Sequence, residues 1–215
     1  MQGNGLEIRG YEPLTPQARQ RALIEIGDHS SPAGCQENAS LDGPDIFVRG
    51  WEVSSKPEVL IFVHGYNIAL PSAMKKLGQL VAAGRFPSNI KPFVFSWPTG
   101  KIPYYFQSVE VLEGKPVVDA FSQFLGSIQA AGVRDIHIFT HSMGLKLVIK
   151  ALESPKVQEL MAPQRGEVTI DQLHLRTVTL SNADYSVREF RDKAYPLLYR
   201  YCRHISLYVD KNDNA

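Results

Sequence analysis

The sequence predicts an α/β domain with a mostly parallel β-sheet and helices on both faces. Uninterrupted apolar runs such as "VLIFV" at 59–63 are typical of strands that are buried on both sides. Helical patterns follow these runs, and strand and helix alternate at least three times, which favours right-handed crossovers between parallel strands. With 215 residues, 44 % of them hydrophobic and 21 % charged, the chain can form one domain with a substantial core.

The composition of the chain changes near residue 45. Residues 1–44 are rich in Gly, Pro, Ser and Asn, and they predict an N-terminal extension or arm with one short helical pattern, "PQARQRALIEIG". Residues 45–215 predict the folded domain, which opens with the strand-like stretch "DIFVRGWEV".

The first strand–helix–strand unit follows this opening stretch. The apolar run at 59–63 predicts a strand, and Ser72 is a candidate N-cap for a helical pattern at 72–83. A second apolar run at 92–96 predicts a strand that ends before Pro98, because proline cannot donate a hydrogen bond to a sheet.

The middle of the domain contains a long loop and a helix. Residues 99–116 are expected to form the loop. Apolar residues recur at helical spacing over 117–131, and Gly132 ends this helix. The stretch "DIHIF" at 135–139 predicts the next strand.

The last part of the domain continues the alternation of helix and strand. One apolar stripe predicts a helix at 145–154, which a Ser-Pro pair ends, and a strand follows within 172–183. Residues 186–201 favour a helix, although Pro196 argues for a break, and "HISLYV" at 204–209 predicts a last strand.

Charge and hydropathy exclude several classes of partner. The 23 basic and 22 acidic residues give a net charge of +1 without a basic cluster, so neither nucleic acid nor an anionic membrane surface is an expected partner. No apolar run approaches the ~18 residues of a membrane span, and no signal peptide is visible, which makes the cytoplasm the default expectation. Cys35 and Cys202 lack metal-ligand spacing, and two free thiols are favoured over one disulfide bond.

The segment "IFTHSMG" at 138–144 is the strongest functional motif. Ser142 lies between a predicted strand and a predicted helix, which is the setting of a nucleophile elbow. Such a turn projects the serine oxygen above the sheet and places the next amide, that of Met143, where it can donate to an oxyanion. Gly144 fits the tight turn, whereas Thr140 stands where glycine is usual. The alternative is a serine that only caps the following helix.

A second motif, "FVHGYN" at 62–67, ends an earlier buried strand. The loop after this strand should supply the other oxyanion amide, and we expect the amide of Tyr66 to be the donor because Gly65 lets the backbone turn. Alone, this motif would indicate a simple turn. Its position before the serine motif in the chain favours the functional interpretation.

These motifs resemble an α/β-hydrolase, and more narrowly the hydrolase family catalogued as domain of unknown function 900. Four segments carry the resemblance in the family's order: "HGYN", "VFSWPTG" at 94–100, "THSMG" at 140–144 and the pair "LSNADYSVREF" and "LYVDKNDNA" late in the domain. The resemblance covers about residues 47–215. Two departures are Leu145 after the serine motif and Asn182-Ala183-Asp184 in place of the family's Ala-Pro-Asp.

The resemblance and the usual order of the triad, Ser then Asp or Glu then His, suggest where the acid lies. Asp213 follows the last predicted strand and matches the family's turn motif, so it is the expected acid. Asp184, after the previous strand, is the alternative, and Asp210 is the third candidate. Each of them also fits a solvated turn carboxylate.

The histidine base is not identified in the sequence. All six histidines precede Asp213, and none fits the position of the base: His29, His64, His137, His141, His174 and His204. The expectation is that the domain is C-terminally incomplete, lacking its last strand and helix, and that the base lies beyond Ala215. The alternative is a broken triad.

The sequence therefore predicts a serine hydrolase that cleaves carboxylic esters through an acyl-enzyme on Ser142, with a small ester or acyl compound as substrate and no cofactor or metal. Residues next to the motifs are expected to bind the substrate or line an acyl pocket: His64, Gly65, Trp97, Tyr104, Tyr105 and Phe106. Core packing or a lid is the alternative for the aromatic residues. The alternative function is an interaction module on a hydrolase fold that lacks the histidine; the oligomeric state is not predicted.

Overall fold

The computed structural model describes residues 57–84, 86–87, 89–99, 104–165 and 169–209. Several sequence-based expectations lie outside these described residues: the arm at 1–44, the strand that begins at Asp45, and Cys35, His29, Asp210 and Asp213.

Five parallel strands form one sheet. Their bounds are β1 (Glu58–Val63), β2 (Ile90–Phe95), β3 (Asp135–His141), β4 (His174–Ser181) and β5 (Cys202–Tyr208). The order across the sheet is β2-β1-β3-β4-β5, and every neighbouring pair is parallel. The predicted α/β fold with a parallel sheet is confirmed.

The register of the strands brings their carboxyl ends to one edge of the sheet. Val63 at the end of β1 pairs with Phe95 of β2 and with Thr140 of β3. His141 of β3 pairs with Ser181 of β4, which in turn pairs with the last residue of β5. Loops that follow β1, β2, β3 and β4 therefore meet at this carboxyl edge, where parallel α/β proteins collect their functional groups.

Helices connect the strands. The first five are α1 (Leu70–Gly84), α2 (Tyr105–Glu113), α3 (Lys115–Ala130), α4 (Gly144–Glu153) and α5 (Pro155–Leu160). Between β4 and β5 the chain forms α6 (Val187–Glu189), a π-helical segment (Phe190–Ala194) and α7 (Tyr195–Tyr201).

The prediction of a loop at 99–116 is wrong over much of this range, because helix α2 occupies Tyr105–Glu113. Leu112 of α2 is fully buried, and Val109 and Val111 pack against the core. The helix is thus stabilised by tertiary contacts that its short, aromatic-rich sequence does not reveal. Gly114 then separates α2 from α3 in an extended conformation.

Proline residues start helices here as well as end them. Pro155 ends α4 as expected but also occupies the first turn of α5, where its missing amide has no cost. Pro196 does not interrupt the helical segment before β5. It lies in the first turn of α7, and the π-helical segment before it accommodates the change in hydrogen bonding.

The core has two parts because β1 is buried on both faces. Val59, Ile61 and Val63 belong to the larger cluster, which includes residues of α2, α3, α4, α5 and α7. Leu60 and Phe62 point to the other face, where α1 packs. Helices on both faces are therefore confirmed. Within the described ranges, no helix has the length and hydrophobicity that crossing a membrane requires.

Candidate active site

Ser142 has the backbone conformation of a nucleophile elbow. It lies between the end of β3 and the start of α4, and its φ angle is 50°. A positive φ is unfavourable for a residue with a Cβ atom, costing about 1–3 kcal/mol, so it persists only where surrounding contacts hold it. A strained serine between a strand and a helix is the arrangement that exposes the hydroxyl at the carboxyl edge.

Backbone hydrogen bonds to β4 hold the elbow in this conformation. The Ser142 N–H donates to the carbonyl of Ser181 at 2.9 Å. The Ser142 carbonyl accepts a hydrogen bond from the N–H of Asp184 at 3.2 Å. Both polar backbone groups of the strained residue are therefore satisfied by the chain that leaves β4.

Two glycines let the loop after β1 approach the elbow. A Cβ atom on Gly144 would overlap the carbonyl oxygen of Val63 and lie 3.0 Å from that of His64. A Cβ atom on Gly65 would lie 2.9 Å from the Cβ of Ser142. The end of β1 and the elbow are therefore in van der Waals contact through positions that only glycine can occupy without displacement.

Thr140 replaces the usual glycine of the elbow without disturbing it. Its side chain is fully buried, and its hydroxyl donates to the carbonyl of Thr179 on β4 at 3.3 Å. The side chain thus points into the sheet core, away from the turn, and the β-branched residue is accommodated.

His64 anchors the loop that carries Gly65 and Tyr66. Its side chain is completely buried, with Nδ1 3.0 Å from the carbonyl oxygen of Gly65 and Nε2 3.0 Å from the hydroxyl of Ser96. The carbonyl can only accept, so Nδ1 carries the proton and Nε2 accepts from the serine. Burial lowers the pKa of His64, with smaller contributions from neighbouring His141 and Lys76, and this favours the neutral ring.

Residues of the segment after β2 contact the loop that follows β1. The Trp97 ring is 3 % exposed and stacks on His64 with centroids 5.6 Å apart, and its indole N–H donates to the His64 carbonyl at 2.9 Å. The Thr99 hydroxyl accepts from the N–H of Asn67 at 2.6 Å. Asn67 itself has a φ of 51°. These contacts fix the "HGYN" loop over the elbow.

The two predicted oxyanion donors, Met143 and Tyr66, belong to the elbow and to the loop after β1, respectively. Met143 is fully buried and begins the turn into α4 with helical angles. Tyr66 directly follows Gly65, whose backbone is in contact with the elbow. Their roles as oxyanion donors stay predictions, and the placement of both residues beside Ser142 is compatible with those roles.

The expected substrate-binding aromatic residues divide into two groups. Trp97 and His64 are buried, and their side chains contact the backbone of the loop after β1. Tyr104 and Phe106, 65 % and 80 % exposed, lie at the start of α2, with the less exposed Tyr105 between them. The second group is therefore the more exposed one, and the substrate-binding role of both groups stays a prediction.

Asp184 is bound by groups from two helices. Its carboxylate oxygen Oδ2 accepts a hydrogen bond from the Tyr105 hydroxyl of α2. The Nζ atom of Lys146, on the first turn of α4, lies 3.9 Å from the same oxygen. Lys146 also lies over the Tyr185 ring, 4.8 Å from its centroid. The alternative acid is thus next to the elbow but already has two partners.

Three of the histidines lie away from the carboxyl edge of the sheet. His137, the third residue of β3, contacts Glu58 at 2.7 Å through Nε2. His174 begins β4, with Nδ1 3.2 Å from Asp135. His204 is near the start of β5. His141 lies beside the Gly65 position, where a Cβ atom would be 3.0 Å from its Nδ1.

The sequence interpretation missed four residues that shape this site. Ser96 and Thr99 bind the loop after β1, Ser181 binds the elbow, and Lys146 approaches Asp184. The first two flank Trp97 in "FSWPT", and their polarity next to a buried tryptophan was the available signal. The other two have no local signal, because their contacts join separate elements.

The parallel sheet and the strained elbow at its carboxyl edge define the class: this is an α/β hydrolase fold. Within that class, the family model for α/β hydrolases of unknown function, DUF900, matches residues 46–215. The chain belongs to that family, which confirms the resemblance found in the sequence. A comparison with curated proteins found no match.

Proposed function

We propose that this protein is a serine hydrolase that cleaves carboxylic esters through an acyl-enzyme on Ser142. The observation that carries the proposal is the strained Ser142, with φ at 50°, held against a glycine-containing loop at the carboxyl edge of the sheet. A helix begins two residues later, so its N-terminal dipole also favours negative charge near the serine.

In the proposed reaction the Ser142 oxygen attacks the ester carbonyl while a histidine base takes the hydroxyl proton. The amides of Met143 and Tyr66 donate to the oxyanion of the tetrahedral intermediate. Collapse breaks the bond to the alcohol, which leaves with the proton from the histidine. Water then attacks the acyl-enzyme with the same base, releasing the acid and restoring the serine.

The acid that orients this histidine is proposed to be Asp213, with Asp184 as the alternative. The partners that Asp184 already has, Tyr105 and Lys146, favour Asp213. The base is proposed to be a histidine, and none of the six histidines in the sequence is assigned to that role.

The exposed start of α2 supports an acyl or ester substrate with apolar groups. Tyr104, Tyr105 and Phe106 form an aromatic surface next to Tyr66 of the loop after β1. Such a surface is suited to contact an apolar group of a substrate whose carbonyl lies at Ser142.

A fluorophosphonate probe tests the proposal, because it reacts only with an activated serine. The probe should label the full-length protein, and Ser142→Ala should abolish this labelling. Ser127→Ala, which changes a partly buried serine on α3, is the matched control and should keep the labelling. Absence of labelling in well-folded full-length protein would refute the proposal.

The second candidate function is a non-enzymatic interaction module. The observation in its favour is that none of the six histidines is assigned as the base. It predicts a folded protein that neither reacts with the probe nor cleaves esters. Labelling of Ser142 by the probe would argue against it.

A further inference from the structure

We propose that the hydrogen bond between Tyr105 and Asp184 is a positioning bridge, which holds Tyr66 and its amide in place for the oxyanion. This inference rests on the proposed function. It assigns Tyr105 and Asp184 to positioning rather than to direct contact with the reacting atoms. It also leaves the role of triad acid to another carboxylate.

Tyr105 connects two loops of the carboxyl edge. Its hydroxyl donates to Oδ2 of Asp184, in the chain that follows β4. Its ring meets the Tyr66 ring edge-on, with centroids 6.0 Å apart and an angle of 70° between the planes. A single side chain at the start of α2 therefore contacts the loop after β1 and is held by the loop after β4.

Asp184 in turn is tied to the elbow. Its N–H donates to the Ser142 carbonyl at 3.2 Å, and Lys146 from the first turn of α4 lies 3.9 Å from its carboxylate. Asp184 therefore connects the side chain of Tyr105 to the backbone of Ser142. Tyr66 and Ser142 are thus held in a fixed relation from both sides.

The chemistry of the Tyr105–Asp184 bridge favours a Tyr105 phenol that keeps its proton and donates it in a hydrogen bond, rather than a phenolate that acts as a base. Burial and the hydrogen bond to Asp184 both raise the pKa of Tyr105, so the phenol keeps its proton at neutral pH. The Nζ atom of Lys146 lies 3.9 Å from the same carboxylate oxygen that accepts this hydrogen bond. A protonated phenol that donates to a carboxylate makes a strong, charge-assisted hydrogen bond.

Loss of the hydroxyl should therefore act on the transition state more than on substrate binding. The oxyanion amide is used fully only when the carbonyl oxygen becomes charged, and small displacements of catalytic groups are costly. We expect Tyr105→Phe, which keeps the ring against Tyr66, to lower kcat about tenfold on a soluble p-nitrophenyl ester. KM should change less than twofold.

The test compares Tyr105→Phe, Asp184→Asn and the double variant in full-length protein. Because both residues act through one hydrogen bond, the double variant should be no slower than the slower single variant. Tyr195→Phe is the matched control, since Tyr195 is a partly exposed tyrosine on α7, and it should keep the wild-type kcat. Additive losses, a change in KM alone, or an unchanged kcat in Tyr105→Phe would overturn the bridge.

A second measurement does not depend on activity. Hydrogen exchange should be faster in a peptide covering residues 62–67 in Tyr105→Phe than in wild type or Tyr195→Phe, and equal exchange would overturn the bridge. Failure of the proposed function has a different signature, namely wild-type protein whose Ser142 is not labelled. A loss of about a thousandfold in Asp184→Asn, with Tyr105→Phe unaffected, would instead make Asp184 the triad acid and overturn the inference.

Discussion

The two sides of the elbow differ in how they are built. Towards β1 and β2, His64 and Trp97 are buried and bind one another, and the loop that carries Gly65 is fixed by side chains from the segment after β2. Towards β4 and β5, the Asp184 side chain is 34 % exposed, and Leu207 and Tyr208 at the end of β5 are exposed as well.

This difference separates two parts of the proposed chemistry. Of the two proposed oxyanion donors, Met143 is fully buried and Tyr66 packs against the core, so folding itself would preorganise them. Asp184, the alternative acid, lies on the more exposed side, whereas the preferred acid, Asp213, lies outside the described residues. We therefore expect changes on the first side to affect stability, and changes on the second side to affect activity alone.

The largest effect is expected at the acid. Asp213→Asn should lower the rate of ester cleavage by about 10³-fold or more, because the base would lose the group that fixes its tautomer and orientation. Denaturant unfolding should show little change. Asp192→Asn, an exposed aspartate before α7, is the control. A fully active Asp213→Asn protein would show that Asp213 is not the acid.

A large effect on stability is expected at Gly144. In Gly144→Ala the new methyl group would overlap the Val63 carbonyl, and β1 and the elbow would have to separate. We expect a loss of about 3 kcal/mol in the free energy of unfolding, measured with urea. Gly126→Ala on α3, where a Cβ meets nothing within 4 Å, should instead gain about 0.5–1 kcal/mol. Equal stability of both variants would show that the elbow is not tightly packed.

A smaller effect is expected at Ser96. Ser96→Ala removes the hydroxyl that binds Nε2 of the buried His64 and leaves that nitrogen without this partner. The expected loss is about 1–2 kcal/mol in the free energy of unfolding. Ser127→Ala on α3, which removes only a hydroxyl bonded to the carbonyl of Gln123 in the same helix, should change the free energy of unfolding by less than ~0.5 kcal/mol. A Ser96→Ala protein as stable as the control would mean that the loop is held without this hydrogen bond.

The smallest effect is a dependence of stability on pH. The pKa of His64 is lowered from its ordinary value of 6.5 in the folded state, so near and below this pH the unfolded chain binds more protons than the folded chain. Stability should therefore fall as the pH decreases from 7.5 to 5.5, by at most ~1.4 kcal/mol in total from this residue. Urea unfolding of wild type and His64→Gln at both pH values measures it. The slope should be shallower in the variant, and identical slopes would contradict a buried neutral His64.

Local patterns in the sequence were sufficient for the sheet and for most helices. The apolar run of β1 and the helical stripe of α4 are determined by side chains within one segment, and both elements occur where they were expected. Helix α2 was mistaken for a loop because its stability comes from Leu112 and its neighbours in the core rather than from its own propensity. The π-helical segment before Pro196 was not predicted either, since it depends on how two helical stretches join.

For the candidate site, the sequence by itself determined the order of the motifs and the serine at a strand–helix junction. Those features are local, because the turn needs a small residue such as Gly144 and an exposed serine at fixed spacing. Only the tertiary structure decided that Gly65 lies against Ser142, that Trp97 supports His64, and that Tyr105 reaches Asp184. Each of these contacts joins elements far apart in the chain, and the register of the parallel sheet alone brings them to one edge.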